Sequence, residues 1–168
     1  MPAGLKSTSS PIQVSEFSIE LVAGTFVSEG IDLSLNPLDQ EVFVVYGIDL
    51  DCLDPNLVPG TTTSIEMSLS TTARTAVGNI GDSNVMASAR IQIQSAAGET
   101  ARADFASDSA PAAQLEYIGI IATNDFFLNI KGSNNTLARA GNARLYGVRA
   151  KADASVYAAL VQSELLSA

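Results

Sequence analysis

From about residue 13 to residue 152, apolar and polar side chains alternate in eight stretches. A period of two belongs to a strand with one face on a core and one in water. The first stretch, residues 13–22, collects Phe17, Ile19 and Leu21 on one face; the second, 25–35, collects Ile31, Leu33 and Leu35 before Asn36 and Pro37 break it. Residues 41–52 give the strongest pattern. Val42, Val44, Tyr46, Ile48, Leu50 and Cys52 share one face, while the other runs from Phe43 and Val45 to Asp49 and Asp51. A strand apolar on both faces at one end is expected to be central and covered there. Residues 63–70, 84–94, 115–123, 125–131 and 142–151 supply five more strands. Long connections are expected over 71–83 and 95–113, and a turn at Gly132, Ser133, Asn134 and Asn135.

The ends read differently. Residues 1–11 are rich in Ser, Thr, Pro and Gly and predict a flexible arm that orders against a neighbour. Over residues 153–168, Val156, Tyr157, Leu160, Val161 and Leu165 recur at helical spacing, predicting a short amphipathic C-terminal helix. It packs across its own sandwich or docks on an adjacent subunit. The expected fold is therefore all-β: an eight-stranded jelly-roll or Greek-key β-sandwich over residues 12–152, followed by that helix. A seven-stranded immunoglobulin-type sandwich is the runner-up, without its Cys–Trp–Cys core marks.

Composition narrows the function more than it names one. The 168 residues suit one domain, and 46% hydrophobic content gives it a core. Net charge is −9, and the excess lies in the first 70 residues, where ten acids face the single base Lys6. Such a chain repels phosphate backbones, so direct nucleic-acid binding is not expected. Histidine is absent and Cys52 is the one cysteine. That removes the Ser-His-Asp triad, the Cys-His dyad and a cysteine zinc site. Glycines 78 and 81 lack the spacing and the Lys-Ser/Thr of a phosphate loop. The expectation is no enzyme, no catalytic residues, no metal and no cofactor.

Two clusters merit separate reading. Asp49 and Asp51 lie on one strand face, about 7 Å apart by strand rise, and with Asp54 would offer oxygen ligands to calcium. The plainer reading is a solvated acidic strand end. Arg139, Arg144, Arg149 and Lys151 cluster late in the chain without interleaved aromatics, and a contact to the acidic N-terminal half is the expectation. Asn134 opens an N-glycosylation sequon that reads as a turn. No stretch approaches a membrane span, and residues 1–10 carry no apolar leader segment.

The run FFLNIKGSNN over residues 126–135, followed by NARLYGVRAK over 142–151, resembles the closing strands of small viral coat proteins. The family is the single jelly-roll capsid proteins of icosahedral, membrane-containing bacterial and archaeal viruses. The resemblance implies a structural subunit of a viral capsid, made in the host cytoplasm and residing in the virion. It implies self-assembly with copies of the chain and other capsid proteins. The arm holds only Lys6, so the shell is expected over a membrane or inner layer rather than over naked genome. The alternatives are a decoration, spike or appendage protein mounted on another scaffold, and a carbohydrate-binding β-sandwich, which the missing Trp disfavours.

Overall fold

The computed structural model describes Met1, residues 3–106 and residues 115–166. Among these residues ten strands form two antiparallel sheets, with one helix after them. In chain order the strands are β1 (Leu5–Ser7), β2 (Ile12–Ile19), β3 (Val27–Asp32), β4 (Glu41–Cys52), β5 (Thr63–Ser70), β6 (Val85–Ala96), β7 (Glu99–Ala106), β8 (Gly119–Ile121), β9 (Asp125–Ser133) and β10 (Ala140–Ala152), and the helix is α1 (Ala154–Leu166).

One sheet runs β2-β10-β4-β8, with β1 beside β2 on the same flank of β10; the other runs β3-β9-β5-β6-β7. From β2 onward the chain changes sheet at every connection except the β5–β6 link and the β6–β7 hairpin. Facing β2-β10-β4-β8 with β3-β9-β5-β6 is the double Greek key of a jelly roll. The immunoglobulin-type runner-up does not fit this order.

The core lies between the sheets, around Phe43, Ile48, Ile65, Met67, Leu128 and Leu145. Close approach on β10 depends on glycine. A Cβ on Gly147 would collide with the Phe43 ring and the Val44 carbonyl.

Two strands add to the eight expected. The arm expected over residues 1–11 does not wait for a neighbour: Leu5–Ser7 pair with Ala150–Ala152 of the same chain. Thr8 N–H then donates to Arg149 O at 2.9 Å. Inside the expected excursion over 95–113, β7 folds back on β6 through Ala97 and Gly98. Both turn residues have positive φ, 51° and 83°, as a two-residue turn of this hand requires. Ala tolerates that φ less well than Asn or Asp, so the turn lacks its usual sequence signal. The remainder of that excursion, with Pro111, and the last two residues of the expected helical segment lie outside the described residues. The strand expected over 115–123 contracts to Gly119–Ile121, with Leu115 61% exposed.

Two face assignments also change. On β2 the inward row is Ile12, Val14 and Ser18, continued by Glu20, while Phe17, Ile19 and Leu21 point outward. The two apolar sets sit at opposite parity, and an unbroken strand can turn only one of them inward. On β4 the expected single face splits. Tyr146 pairs with Gly47 and Gly147 with Val45, so Tyr46 is an extra residue, a β-bulge. Beyond it Phe43 and Val45 point into the sandwich, whereas Val42 and Val44 face outward under α1. Ile48 and Cys52, on the other side of the bulge, remain in the sandwich.

Candidate functional site

Helix and bulge divide the outer face of the β2-β10-β4-β8 sheet in two. Beyond the bulge, Val42, Val44, Val148, Ala150 and Ala152 form a second apolar layer against Val156, Tyr157, Leu160 and Val161 of α1. The helix thus packs on its own sandwich. A buried carboxylate fixes it: Glu164 accepts from Ala122 N–H at 2.9 Å and from Thr123 N–H at 2.8 Å. Charge on the acceptor strengthens such bonds to backbone amides.

The other half of that face is uncovered. Its rows across β2, β10 and β4 read Ser15–Arg144–Asp49 and Phe17–Asn142–Asp51. These residues line an open groove of about 470 Å³. Tyr146 donates from its hydroxyl to Asp49 at 3.0 Å and accepts from Arg144 at 3.4 Å. Hydrogen bonding to Tyr146, with help from the Asp49 charge, holds the Arg144 guanidinium above its ordinary pKa.

The acidic trio is not brought together as a metal site. Asp49 and Asp51 share the groove, but Asp54 pairs with Arg102 of β7 at 3.0 Å. Among the described residues no group of three His, Cys, Asp or Glu side chains is placed to hold an ion. The late basic residues meet the acidic N-terminal half within the chain. Arg149 reaches Glu41 at 3.3 Å and the Leu33 and Ser34 carbonyls, and Lys151 lies 4.0 Å from Asp39. Arg139 donates to Asp54 O at 2.9 Å. Asn134 is exposed in its turn with φ 57° and donates to Thr62 O at 2.9 Å.

The edge of this half carries the feature that the alternation pattern misplaces. Phe17 is 52% exposed, Ile19 48%, Leu21 87% and Val22 64%. Phe17 and Ile19 lie on β2, an edge strand whose one strand partner among the described residues is β10, and Leu21 and Val22 follow in the bend after it. Their inward counterpart is Glu20, 2% exposed. Its carboxylate accepts from Gly132 N–H at 2.6 Å and Arg139 N–H at 2.8 Å. Burial of a carboxylate is tolerable only with such partners. The one sequence signal for this arrangement is the pair Ile12 and Val14, which share the parity of Glu20.

A second concavity, of about 560 Å³, lies on the other sheet. Val77–Ile80, Glu66, Ser88, Arg90 and Phe105 are among the residues that line it. Arg90 bridges to Glu66 at 3.2 Å. Ile80 and Phe105 are 57% and 58% exposed. Cys52 belongs to neither surface. It is buried in the core, where desolvation, reinforced by the Asp51 charge, pushes its thiol up to about 12. Among the described residues no helix is long and apolar enough to cross a membrane. No family model matches the chain, and no curated protein matches it.

Proposed function

We propose that this chain is a structural subunit of a viral capsid, resident in the virion, that self-assembles into an icosahedral shell. It does so with copies of itself and companion capsid proteins over a membrane or inner layer. The observation that carries this reading is the exposure of Phe17 and Ile19 on the edge strand β2 of a jelly roll, with Leu21 and Val22 exposed in the bend that follows. Leaving a large apolar side chain in water forgoes about 1.5–3 kcal/mol of burial. Four such side chains within six residues at one end of the sandwich therefore mark a surface meant to be covered. Fold alone supports many roles; this edge makes association the preferred one. A shell multiplies weak contacts of this kind across many copies.

Sedimentation velocity and electron microscopy of the purified chain, over a range of protein and salt concentrations, test the reading. Closed particles or discrete multimers are expected. A compact monomer under every condition overturns it, and trimers that form no shell point to an appendage instead.

The cleft at Phe105 favours one second reading, a carbohydrate-binding sandwich. An exposed ring beside the Glu66–Arg90 pair offers a stacking surface and hydroxyl partners. Titration with a panel of methyl glycosides, followed by NMR shifts at Ser88 and Phe105, tests it; an unmoved spectrum removes it.

A further inference from the structure

The two sheets present four edges, and their chemistry is unequal. β3 carries Glu29 and Asp32, and β7 carries Glu99, Arg102 and Asp104. Charged edges of this kind discourage pairing with another chain. β8 is three residues long, and Glu164 occupies the amides of Ala122 and Thr123 that follow it. β2 is less protected. It runs for eight residues, Ile12–Ile19, with Glu16 as its one charge and with no Lys, Arg or Pro inside it. Its outward row is Gln13, Ser15, Phe17 and Ile19. The edge away from β10 has no strand partner among the described residues.

We infer that two copies of this chain join by antiparallel pairing of β2 with β2, about a two-fold axis at Phe17. The inference deepens the shell reading and rests on it, since copies must meet. The sequence of the strand selects the occupant and the axis. An antiparallel edge is its own complement, so a second copy is the partner that uses the whole strand. With the axis at Phe17 the two Phe17 rings face one another. Ile19 of each copy lies diagonal to the ring of the other, within reach of an aromatic side chain. Glu16 stands opposite Ser18 of the second copy. Moving the axis to Glu16 would set like charges opposite each other, and moving it to Ser18 would set Glu16 against Glu20. The joined sheets would run continuously, from β8 of one copy through both β2 strands to β8 of the other.

Cysteine pairing reads the register directly. In a Cys52→Ser background, a Ser15→Cys chain and an Ile19→Cys chain are mixed under mild oxidation. The inferred axis places position 15 of one copy opposite position 19 of the other, close enough for a disulfide. A heterodimeric disulfide is expected from the mixture and little from either variant alone. The double variant Phe17→Ser, Ile19→Ser, altered only at outward positions, is expected to weaken association about tenfold or more. Leu38→Ser, at an exposed site outside β2, should leave it unchanged. Particles that form without the 15–19 disulfide, and with no effect of the double variant, overturn the pairing and leave the shell reading standing. A chain that stays monomeric overturns both.

Discussion

Glu20 holds more of this structure together than its residue type suggests. Its carboxylate gathers the Gly132 and Arg139 amides, tying the end of β2 to the β9–β10 connection. Glu20→Ala would leave both amides without that partner and is expected to cost about 2–4 kcal/mol. Glu20→Gln, which keeps one acceptor oxygen, should cost less; urea denaturation of the two variants checks the order. Cys52 offers a pH test. Its thiol keeps its proton up to about pH 12 in the fold, while the unfolded chain releases it near the ordinary value of 9. Above pH 9 the unfolded state therefore binds fewer protons, and stability falls as pH rises, by about 1.4 kcal/mol per unit at most. Wild type should lose more stability than Cys52→Ala between pH 8 and pH 10.5, read as the shift in urea midpoint. Native Cys52 should also resist alkylation at pH 8 until denaturant is added.

At the scale of elements, most strands were legible because alternation records burial directly. Residues 63–70 were read as a strand and form one with the same bounds, and so do residues 41–52. What alternation does not record is parity. On β2 both rows hold apolar residues, and the choice was made by amides supplied from residues 132 and 139, more than a hundred positions away. On β4 an inserted residue reverses the rows at Tyr46, which no period of two can register. β7 was lost to its Ala97–Gly98 turn. The C-terminal helix was legible from its spacing, but its anchor was not, since Glu164 is a charged residue on the packed face. Glu164→Ala should loosen α1 without unfolding the sandwich. Faster hydrogen exchange at Ala122 and Thr123, with unchanged protection in β5 and β9, is the expected result. Uniform loss of protection would show that helix and sandwich unfold as one unit.

For the whole molecule, charge and assembly are coupled. Each copy bears a formal charge of −9, most of its acids lying in the half that contains β2 and β4. Copies brought together through β2 repel one another, and salt shortens the range of that repulsion from about 30 Å at 0.01 M to about 3 Å at 1 M. Light scattering should show association rising with ionic strength, the reverse of a contact held by opposite charges. The sandwich class, the two layers and the terminal helix were legible in outline, whereas the order of the strands was not. The unpaired edge was not, because sequence patterning assigns apolar side chains to a protein's own interior before it considers another copy.

The extra residue in β4 lets one strand serve two interiors, the sandwich on one side and the seat of α1 on the other. Deleting Tyr46 would force the segment 41–45 through half a rotation about its own axis. Phe43 and Val45 would then press against the helix, and Val42 and Val44 would leave hollows where an aromatic ring had been. No repacking of neighbours can reconcile both ends, so the shortened chain is expected to accumulate without a cooperative melting transition, although it lacks only one tyrosine.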